Sequence, residues 1–169
     1  MNKLIILVSL SAVFIVSCVK DRGEVITTGI TTDAKLFAFM NAQRFTYYKS
    51  DSINKIASIS NFHNGNYFLK FNPKAQSALV GTPGKLPAGG TFPDSSLLVK
   101  ALYNPGGTSP YLYAIMLKNS KSPYANSGWM WAIFNADGSV VNSITQSGSN
   151  CVGCHTGGSD NVLTFAAHP

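Results

Sequence analysis

The chain has 169 residues, which is enough for one ordinary domain with a hydrophobic core but not for two. Lysine and arginine outnumber aspartate and glutamate by 13 to 7, which gives a formal net charge of +6. Because the basic residues are spread along the chain and form no run, the composition does not indicate a nucleic-acid-binding surface.

The first residues have the pattern of an export signal. A short positive segment precedes an apolar run from Leu4 to Val16, which is too short to span a bilayer comfortably but has the length of a secretory signal. The run ends in Ser17 and Cys18, which resembles a bacterial lipobox, where the cysteine is lipidated and becomes the first mature residue. An ordinary signal peptide that is cut slightly later, leaving Cys18 as a free thiol, is the alternative.

These patterns divide the chain into three parts. We expect residues 1–17 to be a lipoprotein signal peptide, residues 18–32 a polar tether and residues 33–169 one folded domain. Acyl chains on Cys18 would anchor the exported domain to a bacterial membrane, facing the periplasm. Val19 follows the cysteine, in place of the aspartate associated with retention in the inner membrane, which favours the outer membrane.

Helical spacing of apolar residues begins at the start of the domain, with Thr32 or Asp33 as the N-cap. The residues with this spacing are Leu36, Phe37, Met40, Phe45 and Tyr48. Residues 51–59 either continue this helix or start a second one, before the break at residues 64–66.

A strand is predicted at residues 67–71, where residues that favour strands cluster. A helix then starts at Pro73, with Asn72 as its cap and Gly81 just past its end. Residues 82–90 are rich in glycine and proline and predict a loop.

Three strands follow in close succession, at residues 96–103, 111–118 and 128–135. A turn signal at Asp137–Gly138 leads into a fourth strand at residues 139–144. Strands joined by short turns pair antiparallel, because parallel neighbours need long crossovers. The sequence therefore predicts an α+β fold, a predominantly antiparallel β-sheet meander with N-terminal and flanking helices.

The C-terminal region contains Cys151-Val152-Gly153-Cys154-His155, a C-x-x-C-H motif that is the attachment signature of c-type haem. The two thiols can form thioether bonds to the vinyl groups of one covalently attached haem, and His155 can then bind the iron as proximal ligand. A disulfide or redox pair is one alternative. A zinc site is another, with His63 and His168 as the spare ligands.

Four segments, taken in order, resemble the cytochrome P460 family. They are FPDSSLLVK at 92–100, YAIMLK at 113–118, GWMWAIFNADG at 128–138 and CVGCHT at 151–156. The resemblance extends from Tyr67 to the C-terminus. It implies a mono-haem cytochrome with a mostly antiparallel sheet that forms homodimers. The family includes P460 enzymes, which oxidise hydroxylamine, and cytochromes c′-beta, which bind nitric oxide and carbon monoxide at a five-coordinate haem.

The resemblance implies that Cys151 and Cys154 carry the haem, that His155 is its proximal ligand, and that a small nitrogen species is bound or transformed on the open face. P460 enzymes also have a lysine bonded to the haem macrocycle and a carboxylate in the distal pocket. The lysines considered for that bond are Lys70, Lys74 and Lys85.

Acidic residues are scarce between Cys18 and the motif, and none is an obvious proton acceptor. They are Asp21, Glu24, Asp33, Asp51, Asp94 and Asp137. Phe62 and Phe92 are candidates for lining the distal pocket, as in the gas-binding branch of the family. Ordinary core packing is the alternative for both phenylalanines.

A lipid-anchored electron-transfer cytochrome with a six-coordinate haem is the alternative function. Such carriers usually have a ligating methionine downstream of the motif, and no methionine follows it here. Met116 and Met130 fall in predicted strands, and His63 lies beside a predicted turn. The lack of a convincing sixth ligand favours an open iron that can bind substrate or gas.

Overall fold

The structure is a computed structural model that describes residues 29–49, 55–57, 65–82 and 84–164. The predictions about Cys18, Phe62, His63 and His168 lie outside these residues. Within them, the chain forms a seven-stranded sheet, three short α-helices and a 3-10 turn. The predicted α+β class is therefore confirmed.

Every strand pairing in the described sheet is antiparallel. The strands are β1 (Thr46–Tyr47), β2 (Ile56–Ala57), β3 (Asn66–Phe71), β4 (Leu97–Tyr103), β5 (Leu112–Lys118), β6 (Trp129–Asn135) and β7 (Val140–Asn142). The helices are α1 (Asp33–Asn41), α2 (Pro73–Gln76) and α3 (Val152–His155), and the 3-10 turn is Ile144–Gln146. Strands β3 to β7 are neighbours in chain order, which confirms the meander, while β1 and β2 both pair with β3.

Alternation along the strands sends apolar side chains to the two faces of the sheet. The first, here called the helix face, carries Leu97, Val99, Ile115, Leu117, Met130, Ala132 and Phe134. Helix α1 packs on it through Leu36, Phe39 and Met40. Ile30, which the sequence placed in the tether, is 4% exposed and joins this cluster.

Helix α1 begins where the sequence predicted but ends earlier. The Thr32 hydroxyl accepts a hydrogen bond from the Lys35 amide (3.3 Å), which confirms it as the N-cap. Phe45 lies beyond the helix and packs towards the helix face, whereas Tyr48 stacks on Phe71 with ring centroids 5.3 Å apart. The helical spacing was misleading because Phe45 and Tyr48 pack on opposite faces of the sheet. Phe45 precedes the short strand β1 and Tyr48 follows it.

Two other predicted helices also differ from the structure. Ile56 and Ala57, within the region predicted as helical at 51–59, pair with β3 as strand β2. Helix α2 starts at Pro73 as predicted but ends at Gln76, well before Gly81. Its cap, Asn72, is buried, and its side-chain oxygen accepts from both the Ala75 amide (2.9 Å) and the Leu97 amide (3.0 Å). One side chain therefore caps α2 and ties it to β4.

The opposite face of the sheet, here called the motif face, carries Tyr67, Leu69, Phe71, Leu98, Leu102, Trp129 and Trp131. Phe92, Val162, Cys151 and Val152 pack against it, so the segment that contains the C-x-x-C-H motif lies on this face. The described part of the chain contains no helix long and apolar enough to cross a membrane. The sheet thus separates a helix-covered core from the face that holds the motif.

Candidate functional site

The C-x-x-C-H motif forms a single helical turn. Cys151 precedes α3, and its amide donates to the Gly148 carbonyl (2.8 Å). Side chains three or four positions apart lie on the same side of a helix, so Cys154 and His155 project near Cys151. Cys151 is half-buried, Cys154 is exposed, and both are free thiols. Burial raises the pKa of the Cys151 thiol, and the neighbouring Cys154 adds to that rise.

A close approach at Gly148 lets the motif lie against the sheet. Its φ is 66°, and a Cβ built there would lie 2.3 Å from the Trp131 Cδ1. No side chain fits in that space, and the positive φ favours glycine independently. Trp131 in turn contacts His155 edge-on, with ring centroids 4.9 Å apart and an interplanar angle of 74°. The imidazole therefore rests on a ring that is itself 2% exposed.

The orientation of the His155 ring is fixed by a backbone carbonyl. Nδ1 lies 2.9 Å from the carbonyl oxygen of Asn161, and because a carbonyl can only accept, Nδ1 carries the proton. Nε2 then has its lone pair available for a metal. Burial lowers the pKa of His155, the Asn161 carbonyl raises it, and the charge of Lys100 lowers it, with a net downward shift. The neutral imidazole, the form that binds iron, is therefore favoured.

The motif face also carries a lysine, Lys100. It lies on β4 between Leu98 and Leu102, and its ammonium is 4.1 Å from the centre of the Tyr67 ring, on the motif face. Burial lowers the pKa of Lys100 to about 8. Its strand neighbours Leu98 and Leu102 lie in the cluster against which Cys151 and Val152 pack. Sequence reasoning did not single out Lys100, although it ends the first of the four segments that carry the family resemblance.

The three lysines singled out from the sequence differ from Lys100 in the face of the sheet or in exposure. Lys70 pairs with Val99, a helix-face residue, and its ammonium lies over Tyr47 at 5.5 Å. It therefore projects from the side of the sheet opposite Lys100. Lys74 and Lys85 are exposed. Of the three, Lys70 is therefore the one that the sheet separates from the motif face.

The predicted pocket and turn residues are also accounted for in part. Phe92 is 2% exposed and packs between Phe71 and Trp129, at 6.2 Å and 5.6 Å between ring centroids, which favours core packing over a role in the distal pocket.

Asp94 accepts from the amide and hydroxyl of Ser120, and Asp137 accepts from those of Ser139. Both carboxylates stabilise turns, and for Asp137 the turn was predicted from the sequence.

Asp160, which follows the motif, is a buried carboxylate that the sequence reasoning overlooked. Its Oδ1 lies 2.6 Å from the Lys118 ammonium, and its Oδ2 accepts from the Phe92 amide (2.8 Å). Both oxygens have partners, so this carboxylate is not positioned as a free proton acceptor. The sequence signal at this position was the pair Asp160–Asn161, which indicates a turn because these two residue types tolerate left-handed conformations.

The residues on the motif face fit a covalently attached haem. The site combines two free thiols on one helical turn, an imidazole with Nε2 available, and half-buried apolar side chains on the neighbouring strands. Those side chains are Leu112, Ala114, Met116 and Ile133. Among the described residues, no group of three histidine, cysteine, aspartate or glutamate side chains converges to hold a metal ion.

Comparison with protein-family profiles assigns most of the described domain to a family. A family profile described as Cytochrome P460 matches residues 72–166, which is more than half of the chain. The matched region begins at the cap of α2 and includes β4 to β7 and the C-x-x-C-H motif. A search of curated proteins found no match.

Proposed function

The chain belongs to the cytochrome P460 family of c-type haem proteins, and we propose that it binds or transforms a small nitrogen species, nitric oxide or hydroxylamine, at a five-coordinate haem. Cys151 and Cys154 would hold one haem by thioether bonds, and His155 would be its proximal ligand. The observation that carries the proposal is the His155 Nδ1 contact with the Asn161 carbonyl, because it leaves Nε2 available for iron.

The haem, when bound, supplies an iron that can take a small ligand in its open position. The chain supplies the surroundings of that iron. The Asn161 carbonyl orients the His155 ring and makes it a more basic ligand, and Trp131 limits how far the ring can turn. The apolar side chains of β5 and β6 on the motif face would exclude water from the haem surface.

The placement of the methionines leaves Met116 as the candidate for a sixth ligand among the described residues. Met40 and Met130 lie on the helix face, and the Met130 sulfur accepts from Asn119 (3.6 Å). Met116 is the one described methionine on the motif face, half-buried and paired in register with Trp131. The alternative, a lipid-anchored electron-transfer cytochrome with six-coordinate haem, would take Met116 as its second ligand. Exogenous ligand binding to the reduced iron separates the two functions.

Within the first function, a bond between Lys100 and the haem would distinguish an enzyme from a gas-binding protein. A lysine bonded to the haem macrocycle is a feature of the P460 enzymes, and burial of Lys100 favours the neutral amine, which is the nucleophilic form. We expect Lys100→Met to retain thioether-bound haem but to lose both a red-shifted Soret band and hydroxylamine oxidation. Absorption spectra of the purified holoproteins and a turnover assay measure these losses.

Lys70→Met is the matched control, because it removes a lysine of the neighbouring strand that projects from the other side of the sheet. If Lys100→Met leaves the spectrum unchanged, Lys100 is not bonded to the haem. If Lys74→Met and Lys85→Met also leave it unchanged, the cross-linked enzyme is excluded and gas binding without turnover is the function that remains.

The cellular setting is part of the proposal and has its support in the sequence. The apolar run from Leu4 to Val16 and the lipobox-like Cys18 support an exported lipoprotein held on a membrane facing the periplasm, and Val19 favours the outer membrane. Membership of the family supports a homodimer.

A further inference from the structure

Asp160 ties the segment after the motif to three separate parts of the domain. Its carboxylate meets the Lys118 ammonium at the end of β5 (2.6 Å) and the Phe92 amide ahead of β4 (2.8 Å). Its backbone carbonyl accepts from the Trp129 indole N–H at the start of β6 (2.8 Å). The carboxylate side chain is 6% exposed and that of Lys118 is 10% exposed, so the ion pair is held away from water.

The next residue, Asn161, makes the contact that orients the proximal histidine. Asp160 and Asn161 have φ values of 49° and 61°, so two consecutive residues adopt the left-handed conformation. Such conformations are sparsely populated and persist where the surrounding contacts over-determine them. The Val162 amide closes the turn around these two residues by donating to the Ser159 carbonyl (3.0 Å). The side-chain contacts of Asp160 hold this turn against the domain, and its Asn161 carbonyl lies 2.9 Å from His155 Nδ1.

Asp160 does not serve the site as a proton acceptor, because Lys118 and the Phe92 amide occupy its two oxygens. The ammonium of Lys118 also lies over the Trp129 ring at 4.9 Å, so the pair is packed on the residue that binds the Asp160 carbonyl. Lys118, Trp129 and Asp160 thus form one buried unit, here called the Asp160 clamp.

We propose that the Asp160 clamp is a positioning device for the proximal histidine: it fixes the Asn161 carbonyl and so sets the orientation and the basicity of the His155 ring towards the haem iron. The proposal rests on the proposed function, since it requires His155 to bind iron. Asp160 is a positioning residue because it acts through Asn161. Loss of the clamp frees the Asn161 carbonyl to move, and the hydrogen bond to His155 Nδ1 weakens.

The test compares holoproteins by the iron–histidine stretching band in resonance Raman spectra of the reduced state. Asp160→Asn and Lys118→Met each remove the ion pair, and we expect both to shift the band to lower frequency and to broaden it. Asp94→Asn is the matched control, because its carboxylate stabilises an exposed turn through Ser120, and its band is expected to match the unsubstituted protein. A second readout, the reduction potential, is expected to rise in the two clamp variants alone, because a less basic proximal ligand stabilises ferric iron less.

The outcomes are distinguishable. A lowered melting temperature with an unchanged band in both clamp variants would overturn the positioning role and leave Asp160 a structural residue only. If either variant fails to fold, Trp129→Phe removes the indole N–H that binds the Asp160 carbonyl, and it must shift the band in the same direction. An unsubstituted holoprotein with no iron–histidine band would overturn the proposed function first, and the clamp proposal with it.

Discussion

Replacing both Cys151 and Cys154 with serine is expected to abolish covalent haem attachment. A serine hydroxyl is a far weaker nucleophile than a thiol and does not replace it in thioether formation, and the two cysteines are the free thiols of the described structure. On a denaturing gel, the haem stain of the unsubstituted protein should correspond to one haem per chain. The stain of the double variant should fall to background. Each single variant should retain a haem held by one bond, with the spectrum of a haem that has one unreacted vinyl group.

Ser149→Ala is the control for this experiment, because it changes an exposed residue two positions before the motif. Retention of the haem by the denatured double variant would show that neither thiol carries it. A matched substitution, His155→Ala, is expected to keep the covalent haem but to lose the proximal ligand, which separates attachment from ligation.

Replacing Trp131 with alanine is expected to lower the free energy of unfolding by about 3–5 kcal/mol, the range for truncating a large buried aromatic residue. Trp131 is 2% exposed, lies in the motif-face cluster and fills the space beside Gly148. The same change removes the ring that contacts His155, so the iron–histidine band should broaden as well. Urea unfolding of the holoprotein, followed by circular dichroism, measures the first effect.

Trp131→Phe is the control for the loss of volume, since it keeps an aromatic ring against His155 and should lose less than half as much stability. A Trp131→Ala variant within about 1 kcal/mol of the unsubstituted protein would contradict the packing described for this face, because that loss is roughly the average for any single substitution.

The strands were predictable because their signal is local. The alternating faces of β6 follow directly from the sequence, with Trp129 and Trp131 on the motif face and Met130 and Phe134 on the helix face. The length of α1 was not predictable in the same way. Phe45 continues the helical spacing but packs beyond the helix, because pairing of β1 with β3 determines the path of the chain there.

The chemical motif was predictable, and its surroundings were not. Cys151, Cys154 and His155 are recognisable from spacing alone. Lys100 could be assigned to a face by alternation, yet only the pairing of β3 with β4, and the return of the C-terminal segment over that face, brings it near His155. Asp160 reaches partners 42 and 68 positions away in the sequence, so no local pattern identifies its contacts.

The absorption spectrum of the reduced holoprotein, recorded before and after addition of carbon monoxide, tests the proposed open haem most directly. A five-coordinate iron held by His155 predicts a large and immediate change in the Soret band, and a red-shifted band before addition would further indicate the bond to Lys100. No change on addition would mean that the sixth position is filled. That result would contradict the proposed function and favour the six-coordinate electron carrier, with Met116 as its second ligand.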